Sequence, residues 1–265
     1  MKYEKNIHKY NLAQTTHQVF EECAAVYLKE DKHWGCDLDI ILEYVEKIKD
    51  PEVIELGTGH AWHLVNMFLL SSSNLKRTVG VDYSEQMLQH AKSMISSTFQ
   101  NGVALIHKIQ LQKADILSLP FDDGSFNIAL LLNNTLGNIS ANTFNESKQQ
   151  RKKALGETRR ILRQTGYLIL SVFNSEKLTE EDTYGEVFEL DRKLSDLNSA
   201  DLVIRYKSTQ TPYFSHWFSK NEICRLLYDA SFKIVALEKR RKRIVVVAQK
   251  QRSDNSEYED YSRNH

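Results

Sequence analysis

Two short stretches constrain this chain more than anything else in it. Val53-Ile-Glu55-Leu-Gly57-Thr-Gly59-His60 is a β-branched run leading into two glycines, and Val79-Gly-Val-Asp82 is a second apolar run that ends in an acid. The pattern predicts a strand, a tight turn and a helix, then a second strand whose carboxylate sits beside the first turn. Gly57 and Gly59 admit turn dihedrals and let a ligand approach the main chain without meeting a Cβ. A carboxylate at Asp82 can accept hydrogen bonds from both hydroxyls of a ribose. The expected ligand is a nucleoside.

The loop also says which nucleosides fit poorly. A dinucleotide site wants a third glycine, so that a pyrophosphate can press on the helix N-terminus and the helix can pack on the strand. Trp62 stands at that place, which argues against a nicotinamide-dependent oxidoreductase. Glu55-Leu-Gly57-Thr-Gly59 instead resembles motif I of the class I S-adenosylmethionine methyltransferases, where an acid precedes the glycines and no phosphate is bound. Ala114-Asp115-Ile116 followed by Leu119-Pro-Phe-Asp-Asp-Gly-Ser-Phe126 is similar to the stretch joining the third and fourth strands of that family. Asn133-Asn134-Thr135-Leu136-Gly137-Asn138-Ile139 stands where glycine N-methyltransferase and related enzymes carry a Gly-Asn-Ser-like tripeptide, with Asn133 in place of the frequent glycine. The resemblance covers roughly residues 50 to 175 well and the remainder loosely.

That resemblance implies a fold: Rossmann-like α/β, with a seven-stranded, mostly parallel sheet of order 3-2-1-4-5-7-6 and an antiparallel last strand. It also implies a cofactor, S-adenosyl-L-methionine, and a cradle for it. Gly57 and Gly59 would give main-chain contact, Asp82 the ribose contact, Tyr83 an apolar wall, and Asp115 a partner for the adenine amino group. Glu55, Ile116 and Asn133 complete the expected set.

Periodicity agrees with the alternation that this fold requires. Helices are expected over 16–30, 37–47, 60–70, 84–95 and 144–164, and strands over 53–56, 78–82, 109–114, 128–132 and 167–173. Strands spaced by helices make βαβ units and a parallel sheet. After Phe173 short strands are expected over 184–190, 202–207 and 211–214, with no long helix between them. Ser219-Lys-Asn-Glu222 then reads as a capping box opening a helix through Tyr228. Phe232–Leu237 and Ile244–Ala248 form a hairpin around the charged run Glu238 to Arg243, read as a solvated turn. The expected organisation is one methyltransferase domain over 1–250, with a small helical N-terminal cap over 1–50, an antiparallel substrate-cap insertion over 174–218 and a disordered tail over 251–265.

Composition excludes several alternatives. With 35 basic and 35 acidic residues the formal charge is zero, against a chain that binds nucleic acid through bulk charge. Cys23, Cys36 and Cys224 lack metal-ligand spacing and fit a reduced compartment. His60 and His63 sit at helical i, i+3 spacing with no third ligand in reach, so no metal is expected. No stretch approaches the ~18 apolar residues of a membrane span, and Met1-Lys-Tyr-Glu-Lys-Asn6 has no apolar leader. A soluble, cytoplasmic protein with no membrane partner is expected, its oligomeric state open.

The acceptor side is read more coarsely. Methyl transfer from a sulfonium needs a lone pair held in line and water kept out, and no fixed catalytic motif. His216 is the expected proton acceptor, and Asn134 and Asn138 follow strand four where polar groups can orient an acceptor. Tyr213 and Trp217 could pack on a cationic amine, and Tyr27 and Trp34 lie in the N-terminal cap. The resemblance implies a small-molecule acceptor, with an amine nitrogen first. Transfer to oxygen or carbon is the alternative, as is a non-catalytic protein that binds S-adenosylmethionine and regulates a partner.

Overall fold

The computed structural model describes residues 12–22, 37–71, 75–99, 108–178, 188–206 and 211–251. Its centre is a seven-stranded sheet of β1 (Glu52–Leu56), β2 (Arg77–Asp82), β3 (Ile109–Lys113), β4 (Phe126–Leu131), β5 (Leu162–Phe173), β9 (Phe232–Arg240) and β10 (Arg243–Lys250). The order is β3-β2-β1-β4-β5-β10-β9. β1 to β5 pair in parallel, and β10 runs antiparallel between β5 and β9. This is the order that the motifs imply, with the final hairpin supplying the antiparallel strand.

The apolar runs bury both sheet faces, as continuous hydrophobic strands of a parallel sheet must. Ile54, Leu56, Ala129, Leu131, Leu168 and Leu170 pack on one face, with α6 (Phe144–Ile161) and α7 (Lys220–Asp229). Val53, Ile128, Leu130, Ile169, Val245 and Val247 pack on the other, with α2 (Leu38–Glu46), α3 (Trp62–Ser71) and α4 (Glu85–Thr98). Each fully buried aliphatic side chain contributes about 1.5–3 kcal/mol relative to exposure. Period-two alternation thus feeds two separate cores and holds helices on both sides.

Several boundaries differ from the sequence reading for local reasons. The fifth strand begins at Leu162, straight from α6, because Leu162 is already extended and pairs with Phe126. The charged hairpin is solvated only in part: Glu238, Lys239 and Arg241 are exposed, whereas Arg240 and Arg243 are drawn into ion pairs. β9 and β10 continue through it, leaving Arg241 and Lys242 as the bend. Arg240 donates to both oxygens of Asp39 at 2.6 and 2.9 Å, and buried Arg243 lies 3.5 Å from buried Asp37. These ion pairs fasten α2 to the sheet edge. Thr143 and Glu146 form a reciprocal capping box that opens α6. At α7, Ser219 caps Glu222 N, but the Glu222 carboxylate turns to His216 instead of closing the box.

Between β5 and α7 the chain inserts a three-stranded antiparallel sheet, ordered β6 (Phe188–Leu190), β7 (Asp201–Tyr206) and β8 (Pro212–His216). Helix α1 (Leu12–Glu22) spans from β8 to α4. Phe214 N donates to Thr16 Oγ1 at 2.9 Å, and the Glu21 carboxylate accepts from Glu85 N and Gln86 N at 2.8 and 3.2 Å. An acid there meets the unpaired N–H groups of the α4 N-terminus. The expectations for 23–30, 184–187 and 252–265, and for Tyr27 and Trp34, lie outside the described residues. Among the described residues no helix is long and apolar enough to cross a membrane.

A short helix, α5 (Thr135–Asn138), joins the β4 end to the inserted sheet. A Cβ on Gly137 would fall 2.3 Å from His216 O and 2.5 Å from both amide atoms of Asn134. Gly137→Ala should therefore destabilise by about 1–3 kcal/mol, which lowers the midpoint of thermal melting by roughly 2–4 °C per kcal/mol. An unchanged midpoint would show that this close approach is absent in solution.

Candidate active site

Strand order reverses between β1 and β4, and at that switch point the loops leave a crevice at the strands' C-terminal ends. A cavity of about 950 Å³ occupies it. Glu55, Gly57, Gly59, Asp82, Tyr83, Asp115, Ile116 and Asn133 all line the cavity, as does Asn138.

The β1 and β2 loops are joined by hydrogen bonds. Gly57 and Gly59 take φ of 72° and 54°, the left-handed region that glycine enters without strain. Gly59 N donates to Asp82 Oδ2 at 2.8 Å, and Ser84 N donates to Asp82 Oδ1 at 2.9 Å. Ser84 caps α4, its side chain accepting from Met87 N. Burial pushes the Asp82 carboxyl up to about 6, against the pull of those two N–H groups and with help from Glu55 nearby.

Glu55 is buried. Its Oε2 accepts from Thr58 Oγ1 at 2.7 Å, and its Oε1 lies 3.0 Å from His63 Nδ1. Burial, with the neighbouring imidazoles of His63 and His90, pushes His60 down to about 4, so it is neutral at pH 7. Asn133 takes φ of 52°, a conformation that glycine adopts freely and asparagine tolerates. This accounts for Asn133 where the family often has glycine. Its Oδ1 is buried and unpartnered.

The acceptor candidates divide. Asn134 is fully buried and does not line the cavity. Its Nδ2 donates to Ser215 Oγ and His216 O at 3.1 and 3.2 Å, and its Oδ1 accepts from Phe173 N at 3.0 Å. It ties β4, β5 and β8 together. His216 is also buried away from the cavity, with Nδ1 2.7 Å from Asp201 Oδ1 and Nε2 2.9 Å from Glu222 Oε1. Both ring nitrogens are engaged, so the imidazole has no lone pair to offer a substrate. Trp217 packs on Phe173 in the inserted sheet's own core, and Tyr213 stands behind Phe20 with ring centroids 6.1 Å apart.

The cavity recruits residues that the sequence reading did not single out. Helix α1 contributes Gln14, Thr16, His17 and Phe20, and the segment after α5 contributes Ile139 to Asn142 with Glu146 and Gln150 of α6. The His17 ring meets the Tyr83 ring edge-on at 3.9 Å, and burial lowers its pKa. The α6 residues had a legible signal in Thr143-x-x-Glu146. The α1 residues had none, because nothing local indicates that a distant helix crosses the crevice.

An open α/β sheet with a crevice at its switch point, an acid ending β2 and glycines after β1 is the arrangement of nucleoside-binding α/β folds. A family model described as a methyltransferase domain matches residues 48–231. The chain belongs to that family and is a class I S-adenosylmethionine-dependent methyltransferase. A SAM-dependent methyltransferase from Methanosarcina mazei is 21% identical with a TM-score of 0.61, covering 80% of this chain and 97% of that one. The 1,6-didemethyltoxoflavin-N1-methyltransferase of Burkholderia thailandensis, solved with 1,6-didemethyltoxoflavin and S-adenosylhomocysteine, is 16% identical with a TM-score of 0.61 over 92% and 90%. The CcbJ methyltransferase of Streptomyces caelestis is 14% identical with a TM-score of 0.65 over 89% and 99%. At such identities these structures speak for the fold. No curated protein matches the chain in sequence.

The surroundings of His216 generate a stability prediction. Burial disfavours its charged form, but the bonds to Asp201 and Glu222 outweigh that, and its pKa is raised above 6.5. A raised folded pKa contributes stability that is complete below 6.5 and is lost as pH rises through the folded value. His216→Gln should cost roughly 1–3 kcal/mol at pH 6 by removing the charged donor that Asp201 and Glu222 share, and less at higher pH. Equal losses in denaturant melts across the range would contradict the charged assignment.

Proposed function

We propose that this enzyme methylates the nitrogen of a small-molecule amine. The observation that carries the reading is the charge of the cavity. Its ionisable lining includes the carboxyl groups of Asp82, Asp115 and Glu146, the last not claimed by the cofactor, and among the described residues no lysine or arginine lines it. An acidic crevice attracts a cationic amine and disfavours an acceptor that carries carboxylate or phosphate. Gln150 adds a buried, unpartnered Oε1 to the same lining, an acceptor suited to an N–H group.

The residues present fit S-adenosylmethionine. Asp82 would hold the ribose hydroxyls, Tyr83 and Ile116 would flank the adenine, and Asp115 would accept from its amino group. Gly59 leaves open space where a Cβ would stand, so a ligand can lie against the main chain there. The unpartnered Oδ1 of Asn133 fits a donor at the methionyl end. When bound, this cofactor supplies a methyl group activated by a positive sulfur. The chain's part is then to keep water out beneath α1, hold the amine lone pair in line, and remove the amine's proton first. Glu146 and the His17 imidazole, whose Nε2 is unpartnered, are lining groups able to take that proton.

Two experiments test this. In the first, the protein is incubated with methyl-labelled S-adenosylmethionine and matched panels of amines, amino acids, phenols and quinols. Label should pass to amines lacking a carboxylate, and Glu146→Gln should raise KM for them about tenfold by removing charge while keeping the capping box. Transfer to phenols or quinols alone would replace the amine reading. In the second, S-adenosylhomocysteine affinity is measured by calorimetry from roughly pH 5 to 8. Hydroxyl donors need ionised Asp82, so affinity should fall as pH drops below about 6. Asp82→Asn should bind weakly with no such slope, and a wild-type profile equally flat would remove Asp82 from the ribose site.

A further inference from the structure

The crest of the sheet presents its groups in a fixed order. Asp115 follows β3, Asp82 ends β2, Gly57 and Gly59 follow β1, and Asn133 follows β4, with β3, β2, β1 and β4 adjacent in that sequence. If the nucleoside occupies β2 and β3, as the proposed function has it, the rest of the cofactor has the β1 and β4 ends to occupy. Those two ends touch, since a Cβ on Gly57 would fall 2.5 Å from Thr135 Cγ2.

At the β1 and β4 ends two buried polar atoms of the lining lack partners: Asn133 Oδ1 and His63 Nε2. His63 is only 2% exposed, and its ring is set on both sides. Trp62 meets it edge-on, with centroids 5.3 Å apart and planes at 83°. Glu55 Oε1 faces its Nδ1 at 3.0 Å. A carboxylate oxygen only accepts, so Nδ1 carries the hydrogen, and in the neutral ring Nε2 is then the lone pair. The other Glu55 oxygen is taken by Thr58, so Glu55 offers the cavity nothing directly. Two buried accepting atoms without partners, on residues that line the same cavity, cost free energy unless a donor reaches them.

We infer that His63 binds the α-amino group of the cofactor's methionyl chain through Nε2, with Glu55 as the positioning residue that fixes its tautomer. An ammonium carries three donors and no acceptor, matching the lone pairs of His63 and Asn133, whereas a carboxylate would be repelled by both. Glu55 is an element of the motif I resemblance, but its partner His63 is not. The pairing arises because the first turn of α3 returns to the β1 end.

The test compares three ligands by calorimetry on the full chain. S-adenosylhomocysteine carries the amine and the carboxylate, its decarboxylated analogue carries the amine alone, and 5′-methylthioadenosine carries neither. His63→Ala should weaken the first two about 10- to 100-fold, the range for a hydrogen bond to a charged group. Binding of 5′-methylthioadenosine should stay at the wild-type value. Equal loss on all three would make His63 a scaffold residue, and loss confined to S-adenosylhomocysteine would mean that the ring reads the carboxylate. Either result, or no loss at all, overturns the inference. Glu55→Gln is measured alongside, so that a folding failure of the first variant leaves the criterion standing: the two amine-bearing ligands must weaken and the third must not. A wild-type protein that binds none of the three would overturn the cofactor assignment itself, a result distinct from the selective patterns above.

Discussion

The functional edge of this molecule depends on the reversal of winding between β1 and β4. Right-handed crossovers send the chain from β1 to β2 over one face and bring it to β4 over the other, so the two loops part at the strand ends. The crevice left between them needs no special residue to open it, but its shape does. Asp82 closes the β1 and β2 loops onto each other by accepting from Gly59 N and Ser84 N. The same carboxylate is pushed up to about 6 by its burial. Holding a charge there is a cost to the folded chain that a ligand with two hydroxyl donors relieves.

The second constraint is how the inserted sheet is held against the rest of the fold. Asn134 reaches β5 and β8 from the end of β4, and Gly137 lets that contact close. Behind it, buried Arg151 lies 3.9 Å from Asp201, and Asp201 and Glu222 both engage His216. A buried polar group without partners is expensive, so such residues gather into networks. His216 and Asn134 have the chemistry of active-site residues, and their neighbours use that chemistry to join the inserted sheet to α6 and α7.

Much of the cradle was legible because its signals are local. Glycines at φ of 72° and 54° leave a mark in the sequence wherever a turn demands them. Acids at strand ends and apolar runs with turn residues after them do the same. Thus Glu55, Gly57, Gly59, Asp82, Asp115 and Asn133 could be named, and all line one cavity. The acceptor side was not legible in this way. Aromatic residues around His216 read alike whether they face a ligand or a core, since alternation along β8 gives only two faces and no label for either. The charged run at the last hairpin misleads for a similar reason, because Asp37 and Asp39, which answer Arg243 and Arg240, stand some two hundred residues earlier.

By itself the sequence determined the strand and helix alternation, the order of the sheet through its family motifs, and residues that line the crevice at the β1 and β2 ends, all through spacings of a few residues. Only the tertiary structure decided which polar groups are left without partners. That decision is a matter of long-range packing: α1 crosses from β8 to α4, and α3 returns His63 to Glu55. It leaves His63 Nε2 and Asn133 Oδ1 buried and without partners, on residues that line a cavity whose lining, among the described residues, holds no lysine or arginine. A residue's donors and acceptors are fixed by its type, but their availability depends on every neighbour that the fold brings to them.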